Sequence, residues 1–172
     1  MSILSKAIAE TDEEIDRNNM QRAKANDPNA LYQVGCLCYE EEDYEGAFEN
    51  WTKAAALGDM MAHSNISVLY GKGQGVEKNK KKEIYHLEEA AIGGHPSARY
   101  NLALEEGRGE RYDRATKHLI IAAKLGYDDA LNKLKEYFAK GFVSKEDYAS
   151  ALRGHQVAVD ATTSEQRDAA EE

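Results

Sequence analysis

The chain has 172 residues, with 22 Lys and Arg against 31 Asp and Glu and a formal net charge of −9. That balance argues against a broad nucleic-acid footprint, which needs a concentrated basic face. No apolar run approaches the roughly 18 residues of a membrane span, and residues 1–6 lack the apolar core of a signal peptide before acidic residues follow.

Hydrophobic residues make up 42% of the chain and prolines number two, and Ala, Leu, Glu and Lys are abundant. Such a composition favours an all-α protein. The expected setting is soluble, reducing and cytoplasmic, without membrane contact. Cys36 and Cys38 agree with it: two apart on a predicted helix, they point in different directions and are badly placed to chelate together.

In chain order, residues 1–26 carry Ile3, Leu4, Ile8 and Ile15 between acidic residues, which predicts an amphipathic helix capping the N-terminal end. Asp27-Pro28 then opens a helix, with Asp capping free amides and Pro tolerated in the first turn. Over residues 29–41, Ala30, Val34 and Cys38 fall at four-residue spacing. The matching stripes are Ala62, Ile66 and Tyr70, then Ala98, Leu102 and Glu106, then Ala130, Leu134 and Phe138. Glu106 breaks the apolar rule, so its helix end is expected to be exposed. Between these stripes lie second helices. Their stripes are Ala47, Trp51 and Ala55, then Glu83, Leu87 and Ala91, then Ala115, Leu119 and Ala123, with Phe48 and Ile84 adding width.

Each second helix ends alike: Ala54-Ala55 before Gly58, Ala90-Ala91 before Gly94, Ala122-Ala123 before Gly126. The glycines at 58, 94 and 126 give spacings of 36 and 32. A self-repeat of this length signals a solenoid of stacked units. The closing Gly suits a left-handed residue just past a helix end, and Asp59 and Asp128 are placed to cap the next helix. After Gly141, Ser144-Lys145-Glu146-Asp147 resembles a capping box, and a helix to about residue 159 offers Tyr148, Leu152 and Val157 to seal the last repeat. From Thr162 onward no large apolar residue remains, which favours fraying. The expected organisation is a capping helix over 1–26, repeats over 27–140, a C-terminal capping helix over 141–160 and a frayed or disordered tail over 161–172.

The middle copy, Tyr70-Gly71-Lys72-Gly73-Gln74-Gly75-Val76-Glu77-Lys78-Asn79, resembles the Tyr-x-x-Gly-x-Gly-Val-x-x-Asp loop of the Sel-1-like repeat family, a relative of the tetratricopeptide repeats. Leu87 with Ala90-Ala91-x-x-Gly94 resembles that family's ending, and Ala98-Arg99-Tyr100-Asn101-Leu102-Ala103 its opening. The likeness covers roughly residues 27–140. It implies a right-handed α-α superhelix of about three and a half to four helix pairs with a capping helix at each end. Repeats one and three lack the four extra loop residues and look more like plain tetratricopeptide units. Glu83 stands where the family has Ala. Residues 144–156 and Gly93-Gly94-His95-Pro96 are also similar to Sel-1-like proteins that carry an upstream RING-type zinc domain. This chain, with two cysteines, lacks the roughly eight close Cys and His ligands of such a domain.

No catalytic constellation emerges. Gly71-x-Gly73-x-Gly75 follows a helix rather than a strand and has no Lys-Ser/Thr after it, so it reads as a turn rather than a phosphate loop. Lys78, Lys80, Lys81 and Lys82 read as a solvated helix start. His63, His86, His95, His118 and His155 are dispersed in sequence and suggest no metal site. No cofactor is implied. What remains is binding of a protein or peptide partner by an adaptor or scaffold, with neither nucleic acid nor membrane involved and the oligomeric state open. The alternative is the substrate-recruiting part of a RING-type ubiquitin ligase whose zinc domain is absent from this chain. First helices of stacked pairs line the concave side. On that side the stripes place Asn29, Tyr32, Cys36 and Tyr39, then Ser64 and Val68, then Tyr100 and Leu104, then Asn132 and Glu136. Of these, Asn29, Tyr32, Tyr39, Ser64, Tyr100, Asn132 and Glu136 are the candidate partner-binding residues. Tyr supplies area plus a hydroxyl, and Asn both donates to and accepts from an extended backbone. Tyr32 and Tyr100 also suit packing between helices.

Overall fold

A computed structural model describes residues 3–171, with side chains from 14 to 164. Among the described residues there are nine α-helices and no strand: α1 (Ile3–Lys24), α2 (Pro28–Glu40), α3 (Tyr44–Ala56), α4 (Met60–Lys72), α5 (Lys80–Ile92), α6 (Pro96–Arg108), α7 (Tyr112–Lys124), α8 (Asp128–Ala139) and α9 (Lys145–Glu171). None of them is long and apolar enough to cross a membrane. The chain divides into two compact units, Met1–Ala90 and Ala91–Glu172.

Helix starts follow local chemistry. Asp27, Asp43 and Asp59 each accept a hydrogen bond from the backbone N–H three residues on, at 3.0, 3.0 and 2.8 Å. Asn79 does the same for α5 at 3.1 Å, and the His95 ring caps α6. Ser144 caps α9, accepting from Asp147 N–H at 3.0 Å. Asp128 departs from expectation. It is the first residue of α8, whose cap position is Tyr127, and its carboxylate instead meets His155 of α9 at 2.8 Å.

Helix ends explain the repeated Ala-Ala-x-x-Gly. After α3, Gly58 N–H donates to the Ala55 carbonyl at 2.9 Å and Asp59 N–H to the Ala54 carbonyl at 3.0 Å, with Gly58 at φ 92°. After α7, Gly126 and Tyr127 bond Ala123 and Ala122 in the same way. This paired closure is the Schellman motif. The two alanines therefore supply its carbonyl acceptors while their methyl groups lie in or beside the core. Two of the first helices, α2 and α6, end in the same backbone pattern without glycine: Glu42 and Glu110 hold φ of 62° and 59°, whereas α4 and α8 end on Gly73 and Gly141.

The first unit packs α1 on α2, α2 on α3 and α3 on α4. Its core is Leu31, Ala47, Trp51, Ala54, Ala62, Ile66, Leu69 and Tyr70. Val34 and Cys38 of the first expected stripe are only half-buried, and Leu31 joins Ala30 inside. Of the apolar residues expected in α1, Ile15 is exposed, and the side chains of Ile3, Leu4 and Ile8 lie outside the described residues. Glu83 is accommodated by its neighbour: a Cβ on Gly71 would lie 3.1 Å from the Glu83 carboxyl carbon, and Lys80 pairs with the same carboxylate at 3.0 Å.

The second unit has a core of Ala103, Ala115, Leu119, Ala122, Ala123, Ala130, Leu134, Tyr137, Val143 and Ala151. Two expectations are corrected here. Glu106 is not exposed: its side chain is 13% accessible and is clamped by Arg111 and Arg114. Phe138 is not in the core; Tyr137 is, while Phe138 stacks on Tyr148 of α9 at 4.9 Å. That helix runs past residue 160, the expected end of the C-terminal cap, to Glu171.

Candidate binding groove

In the first unit α2 and α4 present neighbouring faces over the α3 indole. Trp51 is buried (3% exposed). Its indole N–H donates to the Tyr32 carbonyl at 3.2 Å, so the ring has a fixed place and its polar atom a partner. Tyr39 packs on it with ring centroids 5.6 Å apart, and Tyr44 meets Tyr39 edge-on at 5.3 Å. Cys36, Tyr39 and Glu40 from α2, Trp51 from α3, and Asn65 and Val68 from α4 enclose a depression of about 230 Å³. Val68 is 36% exposed, so this wall is apolar and open to solvent. On the same rim Lys72 donates to the Tyr39 hydroxyl at 3.3 Å.

Tyr32, which bonds Asn65 of this groove, lines a second depression of about 360 Å³ together with Asn29, Asp59 and Met61. Burial raises the Tyr32 phenol above its ordinary pKa, with the adjacent Cys36 adding to the effect and a hydrogen bond to Asn65 opposing it. Burial likewise pushes the Cys36 thiol up. A raised thiol pKa is the opposite of what a nucleophilic cysteine needs. The groove thus offers aromatic and aliphatic surface, an amide and a neutral thiol.

The expected site residues sort by unit. Asn29, Tyr32 and Tyr39 line the two depressions of the first unit. Ser64 does not line either: its carbonyl accepts the Ser67 hydroxyl at 2.6 Å, and Asn65 takes the place beside Tyr32. In the second unit Tyr100 is half-buried against the core and touches Tyr127 at 5.4 Å. Asn132 and Glu136 stand exposed on α8. A hydrogen bond from Lys133, 2.8 Å away, holds the Glu136 carboxyl below the usual range. Sequence reasoning passed over Asn65, Glu40 and the indole of Trp51. Equivalent positions on successive helices pair Tyr32 with Ser64. Two adjacent helices, however, line a shared groove with opposite flanks, so the residue facing Tyr32 lies one place further along.

The histidines are less dispersed in space than in sequence. His63 of α4 and His86 of α5 approach with their Nδ1 atoms 3.0 Å apart. Tyr70 stacks on His86 with centroids 5.7 Å apart, and Lys82 lies over the Tyr70 ring. Burial lowers the His86 pKa to about 4, helped by His63 and Lys82. Among the described residues no third ligand completes a metal site.

Comparison with known proteins decides the family. The Sel1 repeat profile matches residues 28–59, 61–95 and 96–127, more than half of the chain. The chain belongs to the Sel1 repeat family. Its fold is the all-α solenoid of that family, as its structural relatives show. A Sel1 repeat protein from Oxalobacter formigenes superimposes with a TM-score of 0.73 at 27% identity, covering 86% of this chain and 64% of that one. The fold alone is shared with c5321, a protective antigen of uropathogenic Escherichia coli, at a TM-score of 0.68 and 20% identity over 86% of this chain and 33% of the antigen. The Helicobacter pylori protein HcpC, which carries a beta-lactamase name, is 41% identical over 56 residues, or 33% of this chain and 19% of HcpC. In each case the chain covers less than two thirds of its relative. The family match ends at residue 127, so the likeness of residues 144–156 to zinc-domain proteins is not borne out. Sel1 repeats are in general scaffolds for protein interaction, and this chain has their fold.

Proposed function

We propose that this chain is a non-enzymatic adaptor whose α2–α4 face holds an extended segment of a partner protein. The observation that carries the reading is the groove over Trp51. Tyr39 and Val68 provide apolar walls there, and the Asn65 amide is placed to bond a peptide backbone in either sense. A rigid aromatic at the centre of a partly dry pocket is the usual anchor of binding energy at interfaces. Tyr100, Asn132 and Glu136 belong to the second unit and are proposed as a secondary contact. The beta-lactamase name of HcpC is not carried over, since the match spans a third of this chain.

The test uses purified chain and a partner obtained by affinity capture and then expressed separately. Val68→Arg adds bulk and charge to an exposed position and leaves the core alone. It should weaken binding of that partner at least tenfold with an unchanged melting temperature. Ile121→Arg, on exposed α7 surface of the second unit, should leave binding intact. Equal binding by both variants removes the groove from the function.

A further inference from the structure

The groove has a charge as well as a shape. At its Tyr39 end, the last residue of α2, Glu40, is followed in the turn to α3 by Glu41, Glu42 and Asp43, all exposed. Among the described residues Glu40, Glu41 and Glu42 form no ion pair. At its Tyr32 end sits Asp59, which lines the adjoining depression. Carboxylates therefore stand at both ends of the apolar strip formed by Cys36, Trp51 and Val68. Their influence reaches the floor: after burial, the repulsion of Glu40 and Asp59 contributes to keeping the Cys36 thiol protonated. Lys72 is the opposing base on this rim, and it is directed to the Tyr39 hydroxyl.

We propose that the segment taken by this groove is a basic one: an aliphatic or aromatic side chain seated between Tyr39, Trp51 and Val68, with Lys or Arg before and after it to meet Glu40 and Asp59. This rests on the groove reading above and adds to it the chemistry of the partner. Rim charges of this kind chiefly set specificity and association rate rather than affinity. Selection between basic and acidic flanks, and a response to salt, are therefore the informative readouts.

A positional-scanning library of short synthetic peptides, read by fluorescence anisotropy on the full chain, tests it. The expected result is enrichment of Leu, Ile, Met or Phe at one position with Lys or Arg on both sides. Binding should weaken several-fold on raising the salt from low to physiological concentration. Glu40→Gln should lose about threefold for basic-flanked peptides and nothing for neutral-flanked ones, while Val68→Arg should lose both. Enrichment of acidic or neutral flanks, with binding still sensitive to Val68→Arg, overturns the basic partner and leaves the groove in place. Absence of any enrichment, or enrichment indifferent to Val68→Arg, overturns the groove itself.

Discussion

The indole of Trp51 occupies the space that any side chain at position 35 would need: a Cβ built on Gly35 would overlap its five-membered ring. Gly35 is buried in the middle of α2, where glycine is otherwise unfavourable by roughly 0.5–1 kcal/mol relative to alanine. The helix accepts that cost because the tryptophan lies against its backbone. One glycine thus permits both the core of the first unit and the floor of the groove.

Gly35→Ala should therefore destabilise the chain despite alanine's better helix propensity, by about 1–3 kcal/mol through overpacking. Trp51→Ala should cost roughly 3–5 kcal/mol by opening a cavity. Chemical denaturation followed by circular dichroism measures both. A neutral or stabilising Gly35→Ala would show that the indole does not rest there.

The two turns closed by Glu42 and Glu110 predict the opposite sign. Both residues hold a left-handed backbone that costs an ordinary L-residue about 1–2 kcal/mol. Glu42→Gly should stabilise by up to about 1 kcal/mol, reduced by the greater freedom of glycine in the unfolded chain. Gly58→Ala should destabilise by a similar amount. Thermal melts of the two variants should move in opposite directions; a shift of both the same way contradicts the turn assignment.

His86 makes stability depend on pH in a defined window. Its folded pKa of about 4 lies below the ordinary 6.5, so between these values the unfolded chain binds more protons than the folded one. Stability from this group is present near neutrality and is lost as the pH falls from about 6.5 toward 4. The melting temperature should drop over that interval more steeply in the native chain than in His86→Gln. Parallel profiles would mean that His86 is not buried in solution.

Glu106 supplies a test in the second unit. Removing its carboxylate leaves Arg111 and Arg114 without their shared partner at the end of α6. Because both arginines are more than half exposed, water compensates part of the loss, and Glu106→Ala should cost about 1–2 kcal/mol. An unchanged denaturation midpoint would reduce the clamp to a surface contact.

The helix joints were legible because their chemistry is local: Ala54-Ala55 and Gly58 lie within a single turn, and Asp59 within reach of the amide it caps. Stripes such as Ala62–Ile66–Tyr70 were legible for a related reason, since burial at four-residue spacing needs only a neighbour, whichever it is. Where identity of the neighbour matters, local pattern failed. Phe138 yields the core to Tyr137 because Tyr148 arrives from α9. Asp128 gives up its cap role to His155, and Glu106 is drawn in by arginines five and eight places later. The groove was half-legible. Tyr32 and Tyr39 declared themselves by type and spacing, whereas Asn65 is defined only by which flank of α4 faces α2.

The Schellman joints are made of backbone atoms, and the groove residues Glu40, Asn65 and Val68 take no part in them. The joints and the walls of the groove are thus written in different atoms of the chain. Substitutions at those three positions can drift without tripping the fold. On the proposed reading the chain is a reusable frame: rewriting those three side chains, with Gly35, Trp51 and the glycine turns left alone, should change the ligand while the backbone stays as it is.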